Sequence, residues 1–260
     1  MNNDKAIITF SFDDARYDSY RAINIAAEYG IKSTLNVTTA YVNNSIKREP
    51  AKVSAMSVTQ VQELYAKGTE IACHGNEHNN DLANIINGKE ILCKWLNESN
   101  DTKFGFASPH SKLSIDDNTV TSLKRTGIEY VRIGPFIGKV SVFVKFIRKT
   151  AKLLKSNLLF KCIYCRTVQR TLRDNYIICS VPIMADNTYE QIVSLVEWCV
   201  KKKYWCVLMF HSVLSENEEG YNDNFSWDLE MYRKLCEYLS EKSGVVDFMT
   251  TKEAYYHKCR

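Results

Sequence analysis

The stretch AIITFSFDD, residues 6–14, places a segment of strand length directly before two adjacent carboxylates. The first seven residues are mainly β-branched and aromatic, which predicts a buried β-strand. Two acidic residues after a strand are often only a turn or a helix cap. They are also residue types that bind metals and transfer protons. The stretch therefore predicts a strand whose end carries the candidate functional residues Asp13 and Asp14.

The rest of the chain repeats the alternation of strand and helix. Ser57-Val-Thr-Gln60 has the form of a capping box, which predicts a helix start. Alternation with short connections indicates parallel strands joined by right-handed crossovers. No GxGxxG or GxxxxGK[ST] motif follows a strand, so we predict an α/β barrel rather than a nucleotide-binding sheet. We treat residues 1–260 as one domain. Further strands are predicted at residues 32–38, 69–73, 103–107, 128–133, 175–181, 204–210 and 245–249.

Polar residues follow four of the predicted strands. In a parallel barrel the carboxyl ends of the strands meet on one face, where such folds build active sites. Each residue alone has an ordinary alternative, as a turn residue, a surface histidine or a buried core histidine. Their occurrence at four strand ends indicates an active site. The residues are Asp13 and Asp14, His74 and His78, Ser108 to His110, and His211.

Asp14, His74 and His78 form a set typical of an open catalytic metal site, with two histidines and one carboxylate. A metal there lowers the pKa of a water molecule and polarises a carbonyl group. Asp13, next to a ligand, is predicted to be the general base, and His211 the acid that protonates the leaving amine. We therefore predict a hydrolase with one divalent metal, most consistent with zinc.

These residues resemble motifs of the polysaccharide deacetylase family, the nodulation-type deacetylase homology domain of carbohydrate esterase family four. Phe12–Ala15 is similar to the T-F-D-D-G motif and His74–His78 to the H-[ST/G]-x-x-H motif. Phe106–Ser111 lies where R-x-P-Y is expected, and Leu208–His211 resembles the motif that ends in the catalytic histidine. The resemblance implies a distorted (β/α)7 barrel and de-N-acetylation of an amino sugar, with the metal ligands, base and acid named above.

The resemblance also implies further roles. His110 replaces a tyrosine whose backbone N–H helps to bind the oxyanion, and Pro109 precedes it; a backbone donor survives that change. Asp186 lies where an acidic residue supports the catalytic histidine, although a cap for the following helix is an equal alternative. Ala107 stands where many members carry the arginine that orients the base carboxylate. The orientation of Asp13 must therefore come from elsewhere.

A basic segment interrupts the pattern at about residues 138–175. Between Tyr130 and Arg173 there are 11 Lys or Arg and no Asp or Glu, so the rest of the chain has a net charge of −7 against +4 overall. Within it, residues 139–160 show amphipathic helical spacing. Two interpretations remain open: peripheral contact with an anionic membrane, or a barrel helix with a solvated basic face. No nucleic-acid-binding motif accompanies the charge, so we expect no nucleic-acid partner.

Three functions compete on this evidence. The first is a deacetylase that acts on a saccharide, a polysaccharide precursor or a lipid-linked sugar. The second is a deformylase or other amide hydrolase of a lipid-linked sugar, and the third is a catalytically silent carbohydrate- or membrane-binding module. No signal-peptide pattern precedes the first strand, so we expect a cytoplasmic protein, with peripheral contact at the inner membrane face if residues 139–160 dock there.

Overall fold

The structure is a computed structural model of the 260-residue chain. It describes residues 5–43, 46, 54–135, 150, 154–173 and 175–259. Its strands, in chain order, are β1 (Ala6–Phe12), β2 (Ser33–Val37), β3 (Glu70–Cys73), β4 (Phe104–Ala107), β5 (Ile128–Ile133), β6 (Leu172–Arg173), β7 (Ile177–Cys179), β8 (Val181–Pro182), β9 (Trp205–Phe210), β10 (Ser212–Leu214), β11 (Ser226–Asp228) and β12 (Val246–Phe248).

The helices of the described residues follow the strands in the predicted alternation. The capping box at Ser57 is present, because its side chain accepts from the Gln60 N–H while the Gln60 side chain accepts from the Ser57 N–H. The helices are α1 (Tyr17–Glu28), α2 (Thr39–Val42), α3 (Val58–Ala66), α4 (Leu82–Leu96), α5 (Asp117–Arg125), α6 (Asn157–Gln169), α7 (Tyr189–Lys202), α8 (Leu229–Ser240) and α9 (Thr251–Cys259), with a 3-10 turn at Pro109–Ser111.

The central sheet closes into a barrel through one interrupted strand. β7 pairs in parallel with β5, and β8 pairs in parallel with β9. Only Ser180 separates β7 from β8, and its N–H donates to the Ile133 carbonyl at 3.0 Å. Because β9 also pairs with β1, the ring runs β1-β2-β3-β4-β5-β7/β8-β9 and returns to β1. This is a distorted (β/α)7 barrel, as the resemblance implied.

Alternate side chains of the barrel strands enter two separate cores. Phe10, Phe12 and Phe210 face outward and pack beneath the helices in the larger core. Ile7, Trp205 and their neighbours face inward, and Ala254 of α9 joins this smaller core at the amino-terminal end of the barrel. The period of two in a strand explains the division. The interior is therefore filled, and the opposite end carries the candidate site.

The predicted basic insertion is described only in part. Of residues 139–160, the described ones are 150 and 154–160, so the proposed amphipathic helix lies mostly outside the described residues. α6 occupies the later part of the insertion, and Leu154 and Leu158 are each 63% exposed. Membrane contact stays a prediction. Within the described ranges, no helix has the length and hydropathy required to cross a bilayer.

Candidate active site

The three predicted metal ligands meet at the carboxyl ends of β1 and β3. Asp14 Oδ1 lies 3.5 Å from His74 Nε2 and 3.4 Å from His78 Nε2. One donor atom from each of the three residues lies within 4.8 Å of the other two. Asp14 and His74 are buried, whereas His78 is half-buried at the mouth. The carboxylate and two imidazoles therefore form a group that could hold one metal ion.

Backbone geometry aims these ligands. His74 Nδ1 lies 2.8 Å from the Ala107 carbonyl oxygen, which accepts its proton and turns Nε2 toward Asp14. Such a second contact fixes the ring of a metal-binding histidine. Asp14 and His78 have φ of 72° and 57°, in the left-handed region that costs a non-glycine residue on the order of 1–3 kcal/mol. Strain of this kind is concentrated at functional loops, and here it directs both ligands inward.

Asp13 turns away from its neighbour and into the barrel. Its Oδ1 accepts a hydrogen bond from Asn36 Nδ2 at 2.9 Å and a second from the Arg132 guanidinium. Its Oδ2 lies 3.9 Å from His211 Nε2. Asp13 is therefore not part of the group of three candidate metal ligands but lies beside them, and its role as base stays a prediction.

Like Asn36, Arg132 is a site residue that the sequence analysis did not identify. It lies on β5, its side chain is buried, and besides Asp13 it contacts Ser180 and Met209. Arg132 is one of 11 lysines and arginines between Tyr130 and Arg173, so its position in the sequence does not indicate its role. The only hint in the sequence was indirect, since Ala107 left the orientation of Asp13 without a source.

His211 follows β9 and is held through its backbone by α1. The His211 carbonyl accepts a hydrogen bond from the Ser19 hydroxyl at 3.1 Å. Two residues later, the Val213 N–H donates to the Asp18 carboxylate at 2.6 Å. The imidazole is half-buried, packs on Phe225 and faces Asp13. Among the described residues, His211 Nδ1 has no hydrogen-bond partner. The His211 ring therefore lies beside Asp13 and is oriented by packing.

Asp186 is half-buried in the turn before α7. Within the described part of the chain, the His211 Nδ1 atom that it would support makes no hydrogen bond. Its support of His211 stays a prediction. The alternative is wrong, because α7 is capped by Thr188 in a complete capping box with Gln191.

Pro109 and His110 form a short turn beside the metal-ligating group. His110 has a φ of 55° and is exposed, and its ring lies 4.6 Å from that of His78, edge to face. The Pro109 carbonyl accepts from Asn80 Nδ2 at 3.0 Å, which ties this turn to the loop after β3. His110 therefore lines the mouth of the site, and its oxyanion role stays a prediction.

The charges of the site are balanced around Asp13. Burial raises the pKa of Asp13, but the positive charge of Arg132 is the largest of the charges that oppose it, and the pKa is lowered. Burial lowers the pKa of His74 and of His211, and the carboxylates Asp13 and Asp14 offset this only in part. The arrangement favours an ionised Asp13 and a neutral His74, and the neutral imidazole is the form in which histidine binds a metal.

A model of a protein family described as polysaccharide deacetylase matches residues 1–131, just over half of the chain. The chain belongs to the polysaccharide deacetylase family. Deacetylases of this family use a divalent metal, and Asp14, His74 and His78 are where this member could hold one. None of the curated proteins matches the chain.

Solved structures similar to this family member are deacetylases and esterases. The catalytic domain of a peptidoglycan N-acetylglucosamine deacetylase from Eubacterium rectale has 12% identity and a TM-score of 0.45, over 95% of this chain and 90% of that one. A family 4 acetyl xylan esterase from Clostridium thermocellum has 14% identity and a TM-score of 0.40, over 78% and 87%. A mutant CE4 family pseudoenzyme with restored activity has 14% identity and a TM-score of 0.41, over 79% and 66%.

Proposed function

We propose that this chain is a metal-dependent hydrolase that removes the N-acetyl group from an amino sugar. The observation that carries the proposal is the meeting of Asp14, His74 and His78 beside Asp13 and His211 at one end of the barrel. Family membership supports a saccharide substrate. The sugar class is left broad: a saccharide, a polysaccharide precursor or a lipid-linked sugar.

The donor set fits a divalent metal. Two imidazole nitrogens and one carboxylate oxygen suit zinc and leave coordination positions for water and substrate. The pKa of His74 is lowered, chiefly by burial, so its ring is ready to bind a metal without first losing a proton. When bound, such a metal polarises the acetyl carbonyl and lowers the pKa of the attacking water. We infer zinc from the donor set.

The residues around that position supply the proton transfers. Asp13, ionised and buried, accepts the proton of the attacking water. His211 lies on the other side of Asp13 and delivers a proton to the leaving nitrogen, which makes the amine a stable leaving group. The backbone N–H of His110, at the mouth, is the donor that we assign to the developing oxyanion. The bonds broken are the amide C–N bond and water O–H bonds, the bonds formed are an acyl C–O bond and an amine N–H bond, and the products are acetate, the free amine and one released proton.

A related amide hydrolase, such as a deformylase of a lipid-linked sugar, would use the same groups. The smaller formyl group needs no different base, acid or metal. The third candidate, a silent binding module, is disfavoured because five groups with complementary chemistry are retained together. The cytoplasmic location and the membrane contact through residues 139–160 stay predictions. The proposed activity does not depend on either.

The test is an assay of the purified chain loaded with Zn²⁺ on N-acetylglucosamine oligomers, with acetate and formate measured separately and metal content determined in parallel. We expect acetate release that disappears in a His78→Ala variant with reduced metal content. Formate release from an N-formyl sugar, with no acetate from the acetylated one, would favour the deformylase. Stoichiometric metal with no acyl release from any amino sugar would overturn the proposal.

A further inference from the structure

We propose that Arg132 is the positioning residue for Asp13, and that strand β5 supplies the guanidinium that residue 107 of β4 cannot. This rests on the proposed function, in which Asp13 is the base. Ala107 has a methyl group where an arginine would be needed to reach the carboxylate. Arg132 reaches it from the neighbouring strand.

The contact with Arg132 gives the two carboxylate oxygens of Asp13 different surroundings. Both donors, Arg132 and Asn36, act on Oδ1. Oδ2 is the oxygen nearer to His211, at 3.9 Å from Nε2. With Oδ1 held by two donors, the carboxylate cannot rotate freely, and Oδ2 is presented to the site. We infer that Oδ2 is the oxygen that accepts the proton.

The register of the barrel explains why a neighbouring strand can take over. Ala107 is paired with Arg132, and paired residues of parallel strands point to the same side of a sheet. Their Cβ atoms are therefore separated by about one strand spacing, roughly 5 Å. The small side chain at 107 leaves room beside it for the long one at 132. Compared with relatives that carry the arginine on β4, the large side chain is on β5 and the small one on β4, so the guanidinium stays in the same part of the barrel.

The same pairing of a small residue on β4 with a large one on β5 occurs two residues earlier in each strand, at Gly105 and Tyr130. A Cβ atom built on Gly105 would lie 2.1 Å from the Tyr130 ring, so Tyr130 occupies the volume beside β4 at that level. Gly105 and Ala107 are thus the small partners of Tyr130 and Arg132. The barrel interior between β4 and β5 is filled from β5 alone at both levels, which makes Arg132 part of a packing pattern.

The surroundings of Arg132 hold its guanidinium in place. Arg132 is 1% exposed and Asp13 is 3% exposed, so neither charge is screened by water. Nη1 lies 3.4 Å from the Ser180 hydroxyl, at the point where the barrel closes. A planar guanidinium can contact Asp13 and Ser180 at once through separate nitrogens. A lysine has one ammonium group and cannot reproduce both contacts.

The activity test moves the arginine between the strands. In Arg132→Ala we expect kcat to fall by about 10²-fold with KM and metal content unchanged, because a misplaced reacting group carries a cost of that size. The double variant Ala107→Arg/Arg132→Ala should recover a large part of the loss. Arg132→Lys keeps the charge and tests the need for a guanidinium if the alanine variant does not fold. Arg125→Ala, an exposed arginine on α5, is the control for loss of one positive charge.

Full kcat in a folded Arg132→Ala variant would overturn the proposal. So would an Ala107→Arg/Arg132→Ala variant that folds and binds metal but recovers none of the lost kcat. A second measurement does not depend on turnover. Thermal unfolding of Arg132→Ala, Asp13→Asn and their combination should be strongly non-additive if the two side chains hold each other. Additive shifts in Tm would overturn the pairing. If the wild type released no acyl group, the proposed function would fail while this cycle still decided whether Arg132 holds Asp13.

Discussion

At the residue scale, two adjacent aspartates have separate environments. Asp14 faces His74 and His78, whereas Asp13 faces Asn36 and Arg132. Asp14 has left-handed backbone, with a φ of 72°, and although the two carboxylates have different partners, the charge of Asp14 still acts to raise the pKa of Asp13. Burial raises the pKa of Asp13, but the opposing charges, of which Arg132 is the largest, lower it overall.

The Asp13→Asn variant should separate metal binding from turnover. The amide keeps the shape of the side chain but cannot accept a proton from water, so we expect a loss of about 10²–10⁴ in kcat, the usual contribution of a general base. Metal content should stay near that of the wild type, because Asp13 is outside the group of three ligands. Metal analysis and acetate release on the same preparation make the measurement. Wild-type turnover in this variant would remove Asp13 from the reaction.

At the element scale, β4 and β5 fit together by opposite side-chain sizes. Gly105 and Ala107 provide space on β4, and Tyr130 and Arg132 of β5 fill it. A second element contact holds β10, which follows β9 after His211: Asp18 of α1 accepts from the Val213 N–H. This second contact joins elements far apart in the chain, and both contacts lie at residues of the site or near them.

Gly105→Ala should destabilise the barrel. The added methyl group would lie 2.1 Å from the Tyr130 ring, so the ring or the strand must shift. Overpacking of this kind costs about 1–3 kcal/mol in the free energy of unfolding. Urea unfolding measures it. Gly244→Ala is the matched control, since nothing lies within 4 Å of its Cβ position, and equal stability losses in the two variants would contradict the packing account.

Asp18→Ala should loosen β10, the strand that directly follows His211. The variant leaves the buried Val213 N–H without its acceptor, which costs about 1–3 kcal/mol of unfolding free energy. We also expect kcat to fall, because His211 is two residues from the lost contact. Ser212→Ala is the control: it removes only the longer 3.3 Å hydrogen bond to Asp18 and keeps the one from Val213. Loss of stability without any change in kcat would exclude a role for Asp18 in placing His211.

At the scale of the whole molecule, the site joins parts of the chain that are far apart. The three candidate metal ligands come from the loops after β1 and β3, Asp13 is held from β5, and His211 follows β9. The barrel closes between β5 and β9 through the strand interrupted at Ser180. A ligand that binds the carboxylate and both histidines therefore favours the closed barrel over the unfolded chain.

Removing the metal should lower the thermal stability of the whole chain. A ligand that binds only the folded state adds about 4.1 kcal/mol when its free concentration is about 1,000 times its Kd. We expect a lower Tm after chelation and recovery when Zn²⁺ is restored. His78→Ala should show a much smaller response to Zn²⁺. Identical melting of the wild type with and without Zn²⁺ would argue that Asp14, His74 and His78 do not hold a metal.

The sequence by itself determined most of the barrel strands and the positions of the candidate residues, whereas the short strands β6, β10 and β11 were not predicted. Strand and helix periods are local, and parallel strands place all their carboxyl ends on one face, so the grouping of Asp14, His74 and His78 could be predicted before any distance was known. The capping box at Ser57 was equally local, since its two hydrogen bonds join residues three apart.

Only the tertiary structure decided what holds the base and how the barrel closes. Arg132 is 119 residues from Asp13, and nothing near it in the sequence separates it from the other 33 lysines and arginines. The predicted strand at residues 175–181 proved to be two short strands that serve opposite neighbours. Both outcomes depend on which strands become adjacent and which side chains are small at the same level, and those are properties of the closed barrel.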